Sequence, residues 1–369
     1  MFKKILFHKE LSPKKKMKNS LLYLSRVRGA KKAWDKRYDR VLAANKKYST
    51  PCESQVESDH EKLWSDFRRK ADLTTLRVSK NISGVSNPKI IPEDIYVADI
   101  EPTLITDKSV DYISIKSFYN RWFPEGIFPK DLFHRIDGQY LDRNLEVSNY
   151  NELQRLAKQI TYPVILKPNK DTYGGMDINI VNNAEELLSL ANKRKNFVVQ
   201  EKIKQHDFFE KFHPKSLNTI KLFLYKSVKN DQLHILSMAL RMGKNGSLDN
   251  ESAGGVSTFI RDDDSLNGYA VDKLGTKYLE HPNTGAPFDC KIPDLDRLRT
   301  LARKIGNKVF FARVFALDAC YDNEGNWRII ELNTYGQSIR FAQYGGQPFF
   351  GEFTDEVIEH CKENHWALN

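Results

Sequence analysis

The stretch that decides the fold lies near the C-terminal end and reads Phe315-Ala-Leu-Asp318-Ala-Cys-Tyr321-Asp-Asn-Glu-Gly325-Asn-Trp327-Arg-Ile-Ile-Glu331-Leu-Asn333. Two apolar runs flank a polar turn, which predicts two antiparallel strands. Side chains alternate between the faces of a strand, so Glu331 and Asn333 point the same way. Antiparallel pairing then brings Asp318 close to both. Three oxygen ligands on one sheet face suit a Mg²⁺ ion that also holds phosphate, although an ordinary polar hairpin has the same pattern.

A second segment contains a lysine followed by a glycine-rich loop. Residues 164–166 predict a short buried strand that ends at Lys167, and residues 178–181 predict the next strand. Gly174 and Gly175 between them let backbone N–H groups approach a phosphate, and a lysine at a strand end supplies a cation. This is not the Walker pattern, because no Gly-Lys-Ser/Thr follows and no helix opens directly after the glycines. The features of this segment alone also fit a plain hairpin.

A third apolar strand is predicted over residues 197–203, where it continues into a polar connection. The backbone of such a strand exit can present N–H and C=O groups to the edge of an adenine ring. Downstream, His206 or Asp207 can bind ribose hydroxyls. The residues expected at the adenine edge are Gln200, Glu201, Lys202 and Ile203.

The order of these features resembles the ATP-grasp superfamily: a lysine strand, a glycine-rich loop, a strand ending Gln-Glu-Lys-Ile, and then Asp followed by Glu-x-Asn. Four further segments are similar to the sugar-transfer-associated ATP-grasp family, which is often found beside polysaccharide biosynthesis functions. The resemblance covers roughly residues 90–350. The four segments are residues 213–221, 240–243, 248–255 and 281–288.

The resemblance implies an α+β ATP-grasp fold in which two subdomains clamp ATP. We expect a basic helical segment over residues 1–85, the pre-ATP-grasp region and first subdomain over 86–204, and the second subdomain with the metal site over 205–369. In this family the γ-phosphoryl group passes to a carboxylate, and an amine then attacks the acylphosphate to form an amide. ATP and Mg²⁺ are therefore the implied cofactors.

The resemblance also implies roles for individual residues. Arg241 would bind the γ-phosphate or the acylphosphate, where a planar fork suits the oxygens. Lys221 and Asn250 would lie near the carboxylate substrate. The family usually has arginine where this chain has Lys221, which keeps the charge but loses the bidentate fork. The Mg²⁺ ligands would be Asp318, Glu331 and Asn333, and the nucleotide would contact Lys116, Lys167, Gly174, Gly175, Gln200, Glu201, Lys202, Ile203, His206 and Asp207.

Two lysines compete for the upstream position that normally reaches the nucleotide phosphates. Lys108 follows Asp107 and so matches the dipeptide typical of the family. Lys116 opens the better helix pattern, with Phe118 and Trp122 at helical spacing. We prefer Lys116.

The positive charge of the chain is concentrated at its N-terminal end. Residues 1–80 contain 22 Lys and Arg against 9 Asp and Glu, a net charge of +13, whereas the whole chain carries +10, so the remaining residues carry −3. Five apolar residues recur at helical spacing between basic residues, which predicts an amphipathic helix. They are Val27, Ala30, Trp34, Tyr38 and Val41.

Two interpretations of this helix stay open. Its apolar stripe packs on the body, or residues 1–50 contact an anionic membrane surface or a polyanionic glycan. Nucleic acid is the weaker alternative, because no helix-turn-helix, RNA-binding sheet motif or zinc finger accompanies the charge. A second helix is predicted over residues 61–71, after a polar break at residues 50–59.

Composition indicates a globular protein of the cytoplasm. Hydrophobic residues make up 40% of the chain, and no run approaches the ~18–20 apolar residues of a membrane span. The apolar run at the N-terminus is too short for a signal peptide. The four cysteines are widely scattered, which predicts free thiols rather than a disulfide framework. Peripheral contact with the inner face of the membrane is the alternative location.

The family context suggests the reaction. The most concrete expectation is amide formation between a sugar carboxylate, such as a hexuronic acid, and an amino acid or amine in surface polysaccharide biosynthesis. This substrate assignment rests on family context alone. A peptide-type ligase that joins amino acids is one alternative. A nucleotide-binding subunit of a glycan assembly system, without ligase turnover, is another.

Overall fold

Two antiparallel β-sheets flanked by helices make up the body of the chain. The structure is a computed structural model that describes residues 1–124, 126–170, 177–246 and 254–369. The strands are β1 (Asp131–Ile136), β2 (Gln139–Asp142), β3 (Val164–Lys167), β4 (Asn179–Val181), β5 (Phe197–Glu201), β6 (Thr219–Lys226), β7 (Leu233–Met242), β8 (Val256–Ile260), β9 (Ala270–Asp272), β10 (Lys277–Tyr278), β11 (Val314–Tyr321) and β12 (Trp327–Asn333). The first sheet has the order β2-β1-β5-β3-β4 and the second the order β10-β9-β8-β7-β6-β11-β12.

Helices precede, connect and close these sheets. A π-helical turn, Tyr96–Ile100, lies between α5 and α6, and two 3₁₀ turns, Lys108–Ser114 and Lys116–Phe118, precede α7. The α-helices are α1 (Phe2–Phe7), α2 (Pro13–Ala44), α3 (Ser54–Trp64), α4 (Thr74–Ser83), α5 (Glu93–Ile95), α6 (Glu101–Leu104), α7 (Tyr119–Trp122), α8 (Tyr150–Gln159), α9 (Ala184–Asn192), α10 (Asp207–Glu210), α11 (Leu295–Gly306), α12 (Arg340–Gln343) and α13 (Thr354–Glu363).

The first sheet is covered by helices on one face only. Leu166 and Val199 pack with the apolar sides of α8 and α9 into one core, and side chains alternate between the two faces of a strand. The side chains of Lys167 and Gln200 therefore emerge on the opposite face, away from the helices. Both are buried, so this second face is itself covered by other parts of the protein.

The second sheet is packed on both faces. On one side, Leu222 and Leu317 belong to a core with α11, and on the other side Phe223 and Ala316 pack with residues of α5, α6 and α13. Successive residues of β6 and β11 thus enter different cores, as alternation requires. Helices α2, α4, α5 and α6, which precede β1, contribute residues to cores on this second sheet. The predicted domain boundaries at residues 85 and 204 stay a prediction.

Several predicted elements are confirmed. The two apolar runs at the C-terminal end form β11 and β12, which pair antiparallel around the predicted turn. The lysine strand and the strand after the glycine loop form β3 and β4, and these also pair antiparallel. The predicted helix over residues 61–71 is wrong, because α3 spans Ser54–Trp64 instead.

The early start of α3 has a local cause. The Glu57 carboxylate accepts the backbone N–H of Cys52 at 2.9 Å, which stabilises the first turn of the helix. After Trp64 the chain leaves the helix in a turn, and Phe67 still reaches the same core as Trp64. The helical spacing of apolar residues therefore extends past the end of α3, because the following turn also buries its apolar side chain in this core.

The basic N-terminal helix packs on the body. Ser12 caps α2, and Pro13 occupies its first turn, as is typical of a helix start. Trp34 and Tyr38 are buried in a core that includes Phe341 and Tyr344. The predicted apolar stripe is thus a packing face. Among the described helices, none combines the length and apolarity needed to cross a bilayer.

This packing makes a prediction about stability. Trp34→Ala should lower the free energy of unfolding by ~3–5 kcal/mol, the usual cost of truncating a buried aromatic residue. Urea denaturation followed by circular dichroism measures this change. Lys32→Ala, at an exposed position of the same helix, should change it by less than about 0.5 kcal/mol. Equal stability of the two variants would mean that α2 is a detachable appendage.

Candidate functional site

A row of charged side chains crosses three neighbouring strands of the second sheet. Lys221 of β6 lies opposite Asp318 of β11, and Asp318 lies opposite Glu331 of β12. The Lys221 Nζ atom is 3.5 Å from Asp318 Oδ1. At the other end, Lys116 Nζ is 2.7 Å from Glu331 Oε1. Cation, carboxylate, carboxylate and cation therefore follow one another along the sheet face.

Arg241 of β7 joins this row at Asp318. Its Nη2 atom is 3.1 Å from Asp318 Oδ2, and its Nε and Nη2 atoms donate to Thr219 Oγ1 at 3.2 and 3.0 Å. Burial alone would raise the pKa of the Asp318 carboxyl, but Arg241 and Lys221 outweigh burial and lower that pKa below its usual value. Asp318 is thus held as a buried carboxylate.

Asn333 stands on the same face as Glu331, as the alternation predicts. Its Nδ2 atom donates to Asp318 Oδ2 at 3.4 Å. No group of three His, Cys, Asp or Glu residues suited to a metal ion occurs in the described part of the chain. Two carboxylates and an amide are nevertheless a fitting donor set for Mg²⁺, which is usually bound by one or two carboxylates together with waters and substrate phosphates.

The structure brings Lys116, and not Lys108, to this row. Lys116 is buried at the start of a 3₁₀ turn, and its backbone N–H donates to the carbonyl of Asn169 at 2.8 Å. Lys108 is exposed. The same Asn169 follows the lysine strand, so one backbone hydrogen bond ties the two lysine-bearing segments together.

Lys167 is buried at the end of β3, and the Glu331 and Asp131 carboxylates lie near it but outside ion-pair distance. It makes no hydrogen bond or ion pair with another residue of the described chain. Burial, and then the nearby Lys116 ammonium, lower the pKa of Lys167 from 10.5 to about 8. A polyphosphate placed here would supply further negative charge, since the four predicted basic residues of the cluster outnumber the two carboxylates of the charged row.

A polar cleft of about 210 Å³ opens onto this cluster. Lys116, Glu331 and Asn333 line it, together with Lys170 and Tyr335. The sequence does not single out Lys170, which comes three residues after Lys167. The cleft therefore gathers a predicted phosphate lysine and two predicted Mg²⁺ ligands at one opening.

The residues predicted at the adenine edge are placed less directly. Gln200 Nε2 donates to Asp131 Oδ1 at 2.7 Å, and the Glu201 carboxylate binds Arg328 at 2.8 Å and the backbone N–H of Lys130 at 2.9 Å. The side chains of both residues are thus engaged within the protein. Contact with an adenine ring would fall to the backbone of this strand exit.

The connection after β5 runs beside the end of β11. The backbone N–H of His206 donates to the Tyr321 carbonyl at 2.9 Å, and His206 Nδ1 accepts the backbone N–H of Phe208 at 3.1 Å. Asp207 begins α10 and is exposed, as is Lys202, whereas Ile203 is half-buried. Their nucleotide contacts stay predictions, and the predicted residues Gly174, Gly175 and Asn250 lie outside the described residues.

Three supporting residues escape sequence reasoning. Tyr119 is buried, and its hydroxyl bonds both the carbonyl (3.3 Å) and the N–H (3.2 Å) of Leu332, between the two metal-site residues of β12. Thr219 orients Arg241, and Asp131 engages Gln200. Nothing in their local sequence distinguishes these residues from ordinary core positions, because each acts on a partner that is remote in sequence.

Solved structures of low sequence identity are similar to parts of the chain. N5-carboxyaminoimidazole synthetase from Staphylococcus aureus, complexed with ADP, is 12% identical with a TM-score of 0.36, and the alignment covers 64% of this chain and 46% of that one. D-alanyl-alanine synthetase A from Vibrio cholerae is 10% identical with a TM-score of 0.42, covering 69% and 67%. D-alanine–D-alanine ligase from Bacillus anthracis is 15% identical with a TM-score of 0.39, covering 70% and 68%.

This chain therefore spans less than half the length of the Staphylococcus aureus synthetase. No curated protein sequence matches the chain.

The decisive comparison is with a family profile. The family described as sugar-transfer associated ATP-grasp matches residues 132–354. The matched range contains Lys167, Arg241 and the whole β11–β12 hairpin. The fold is accordingly the α+β ATP-grasp fold that the sequence predicts, with a basic helical N-terminal segment, and ATP with Mg²⁺ is the cofactor typical of it. The chain belongs to the sugar-transfer associated ATP-grasp family.

Proposed function

We propose that this chain is an ATP- and Mg²⁺-dependent ligase that activates a carboxylate as an acylphosphate and joins it to an amine. The observation that carries the proposal is the charged row Lys221–Asp318–Glu331–Lys116, with Arg241 bound to its buried carboxylate. Beside this row lies Lys167, a buried cation that forms no ion pair with another residue of the described chain and whose pKa is lowered by burial. Excess positive charge beside two oxygen ligands suits a nucleotide polyphosphate.

The proposed reaction has two steps. A carboxylate oxygen takes the γ-phosphoryl group of ATP, and ADP leaves. The amine nitrogen then attacks the acyl carbon, phosphate leaves, and the nitrogen loses a proton. Lys116 and Lys167 would neutralise phosphate oxygens, and Arg241 would hold the transferred group with its planar fork. Asp318, Glu331 and Asn333 would hold Mg²⁺, which supplies charge neutralisation at the phosphates when bound.

The acceptor in this proposal is a sugar carboxylate, such as a hexuronic acid, and the second substrate is an amino acid or amine. The family description, which associates these proteins with sugar transfer, supports this choice. A ligase that joins two amino acids is the alternative. A nucleotide-binding subunit without turnover is disfavoured, because the residues that phosphoryl transfer would use are present, namely Lys167, Arg241, Asp318, Glu331 and Asn333.

An ADP-release assay with mass spectrometry of the products tests the proposal. The purified full-length chain would be incubated with MgATP and a matrix of uronic acids and amines, and separately with pairs of amino acids. Release of ADP that depends on both substrates, with a product lighter by one water than their sum, supports the ligase. Dipeptide formation would select the alternative acceptor. ATP binding without any product across the matrix would favour the non-catalytic subunit.

The pKa of Lys167 predicts how ATP affinity depends on pH. Phosphate binds the ammonium form, which predominates at pH 7 and is lost as the pH rises through the pKa of about 8. The Kd for MgATP should therefore rise about tenfold between pH 7 and pH 9. Calorimetric titration at the two pH values measures it. Lys167→Met should bind more weakly at both, with no comparable pH dependence; a wild-type Kd that is flat over this range would contradict the assignment.

Contact between residues 1–50 and an anionic membrane or polyanionic glycan is also proposed. The exposed lysines of α1 and α2 support it, as do exposed apolar residues such as Phe7 and Leu21. Because α2 packs into the body, point variants at exposed positions test this contact better than truncation does. They serve as the comparison in the experiment below.

A further inference from the structure

A cluster of exposed aromatic residues lies beside the candidate active-site cleft. Tyr112, Trp122, Phe310 and Phe311 are 67%, 51%, 54% and 53% exposed. They come from separate segments of the chain and line one groove of about 330 Å³ whose walls are almost entirely apolar. We name this feature the aromatic groove. Scattered exposed apolar residues are ordinary on protein surfaces, but a contiguous aromatic patch indicates a binding surface.

The aromatic residues are held in place by hydrogen bonds and backbone geometry. Phe311 has a backbone φ of 64°, a conformation that a bulky residue rarely adopts. Its carbonyl accepts the backbone N–H of Thr106 at 2.9 Å, which fixes this strained turn. Trp122 Nε1 donates to the Lys308 carbonyl at 3.3 Å. The strained backbone at Phe311 costs free energy, and because the Phe311 side chain is exposed, packing in a core does not explain that cost.

Basic side chains surround the aromatic groove. Arg121 lines it, Lys226 Nζ lies 5.9 Å from the centre of the Phe310 ring, and the exposed Lys308 comes two residues before Phe310. The two nearby acidic side chains make other contacts. Asp107 accepts the backbone N–H of Ser109 as a cap, and Asp111 lines the active-site cleft instead.

We infer that the aromatic groove is a docking surface for an anionic lipid bilayer. Tryptophan, tyrosine and phenylalanine favour the boundary between headgroups and acyl chains, and flanking Lys and Arg bind anionic headgroups. A second copy of this chain is a poorer occupant. A two-fold interface would bring the same basic rim together from both subunits, without an acidic surface to face it.

The position of the groove gives this surface a use. The 3₁₀ turn Lys108–Ser114 forms a wall between two openings: Val110 and Tyr112 line the aromatic groove, while Asp111 and Ser114 line the active-site cleft. A docked chain would therefore hold its cleft at the membrane surface. This inference is independent of the ligase proposal, because it concerns only where the protein binds.

Co-sedimentation of the full-length chain with lipid vesicles tests the inference. We expect binding to mixed phosphatidylglycerol–phosphatidylcholine vesicles, weaker binding at raised salt, and little binding to phosphatidylcholine alone. The double variant Phe310→Ser/Phe311→Asn should bind about tenfold more weakly or worse, since two inserted aromatic rings are lost. Asparagine is chosen at position 311 because it tolerates a positive φ. Lys226→Glu/Lys308→Glu should lose about as much.

The matched control is Phe7→Ser/Leu21→Ser, which alters the exposed apolar residues of α1 and α2 instead. We expect this variant to keep most of the vesicle binding, which would leave a polyanionic glycan, rather than the bilayer, as the ligand of residues 1–50. Thermal unfolding of each variant, followed by circular dichroism, reports whether the protein is folded.

Unchanged vesicle binding by the Phe310 and Phe311 double variant would overturn the inference. Loss of binding only in the N-terminal control would do so too, as would equal binding to neutral vesicles. A dimer that light scattering detects in the wild type and that the double variant abolishes would assign the aromatic groove to self-association instead.

Discussion

Glu331→Gln should reduce ADP formation at least about 100-fold at any Mg²⁺ concentration, because Glu331 would be a carboxylate ligand of the Mg²⁺ that neutralises phosphate charge, and such a ligand is worth several kcal/mol in the transition state. Glu331 stands between Asp318 and Lys116 on the charged row. The glutamine keeps the volume and removes the charge. A coupled assay of ADP release, with the best substrates from the matrix described above, measures the effect.

Two further readouts make this result specific. The Glu331→Gln protein should still bind ATP in the absence of Mg²⁺, because the substitution removes a carboxylate that competes with phosphate for the Lys116 ammonium. Glu324→Gln, on the exposed turn of the same hairpin, should show wild-type turnover. Normal ADP release by the Glu331 variant would remove the metal assignment, whatever the behaviour of the control.

Lys167→Met should abolish most of the thermal stabilisation that MgATP gives the wild type. A ligand that binds only the native state stabilises it by mass action, so a weaker Kd shows directly as a smaller shift in Tm. Thermal unfolding with and without MgATP measures this. Lys158→Met, at an exposed position of α8, should keep the full shift. A wild-type Tm that MgATP fails to raise would contradict the proposed function itself.

The same variant should be more stable than the wild type when no nucleotide is present. Lys167 has a pKa of about 8 in the folded protein instead of 10.5, so below pH 8 the folded state bears the full cost of a buried ammonium. That cost is of the order of 3 kcal/mol and declines as the pH rises from 8 towards 10.5. Methionine has a similar size and no charge, so the Lys167→Met substitution removes this cost. A gain in apo stability together with a loss of ATP response would identify a residue retained for binding.

Local patterns predicted the parts of the site that depend on one strand or one hairpin. The spacing of Glu331 and Asn333 determined that they share a face, and the turn before Trp327 determined that Asp318 returns to meet them. Both conclusions follow from the two-residue period of a strand and from antiparallel pairing. Lys167 could be placed at a strand end for the same reason.

Other parts of the site depended on contacts between segments remote in sequence. Lys116, and not Lys108, reaches the charged row, and a backbone hydrogen bond joins its segment to Asn169. The aromatic groove is formed by chain segments nearly 190 residues apart. Arg241 on β7 can contact Asp318 on β11 because the two strands are separated by one strand only, β6, in the second sheet. No local period carries that order.

The sequence by itself determined the strands of the nucleotide-binding body, the set of basic and acidic residues available for phosphate and metal, and the family. Periodicity and residue chemistry act over a few neighbouring residues, so they can be read without the fold. Only the tertiary structure decided that the face of α2 that carries Trp34 packs against the body. It also decided which lysine reaches the charged row and which side chains form hydrogen bonds or ion pairs within the protein. These outcomes depend on burial and on contacts between residues that are remote in sequence. The free energy of such a contact depends on which side chains the fold places next to each other.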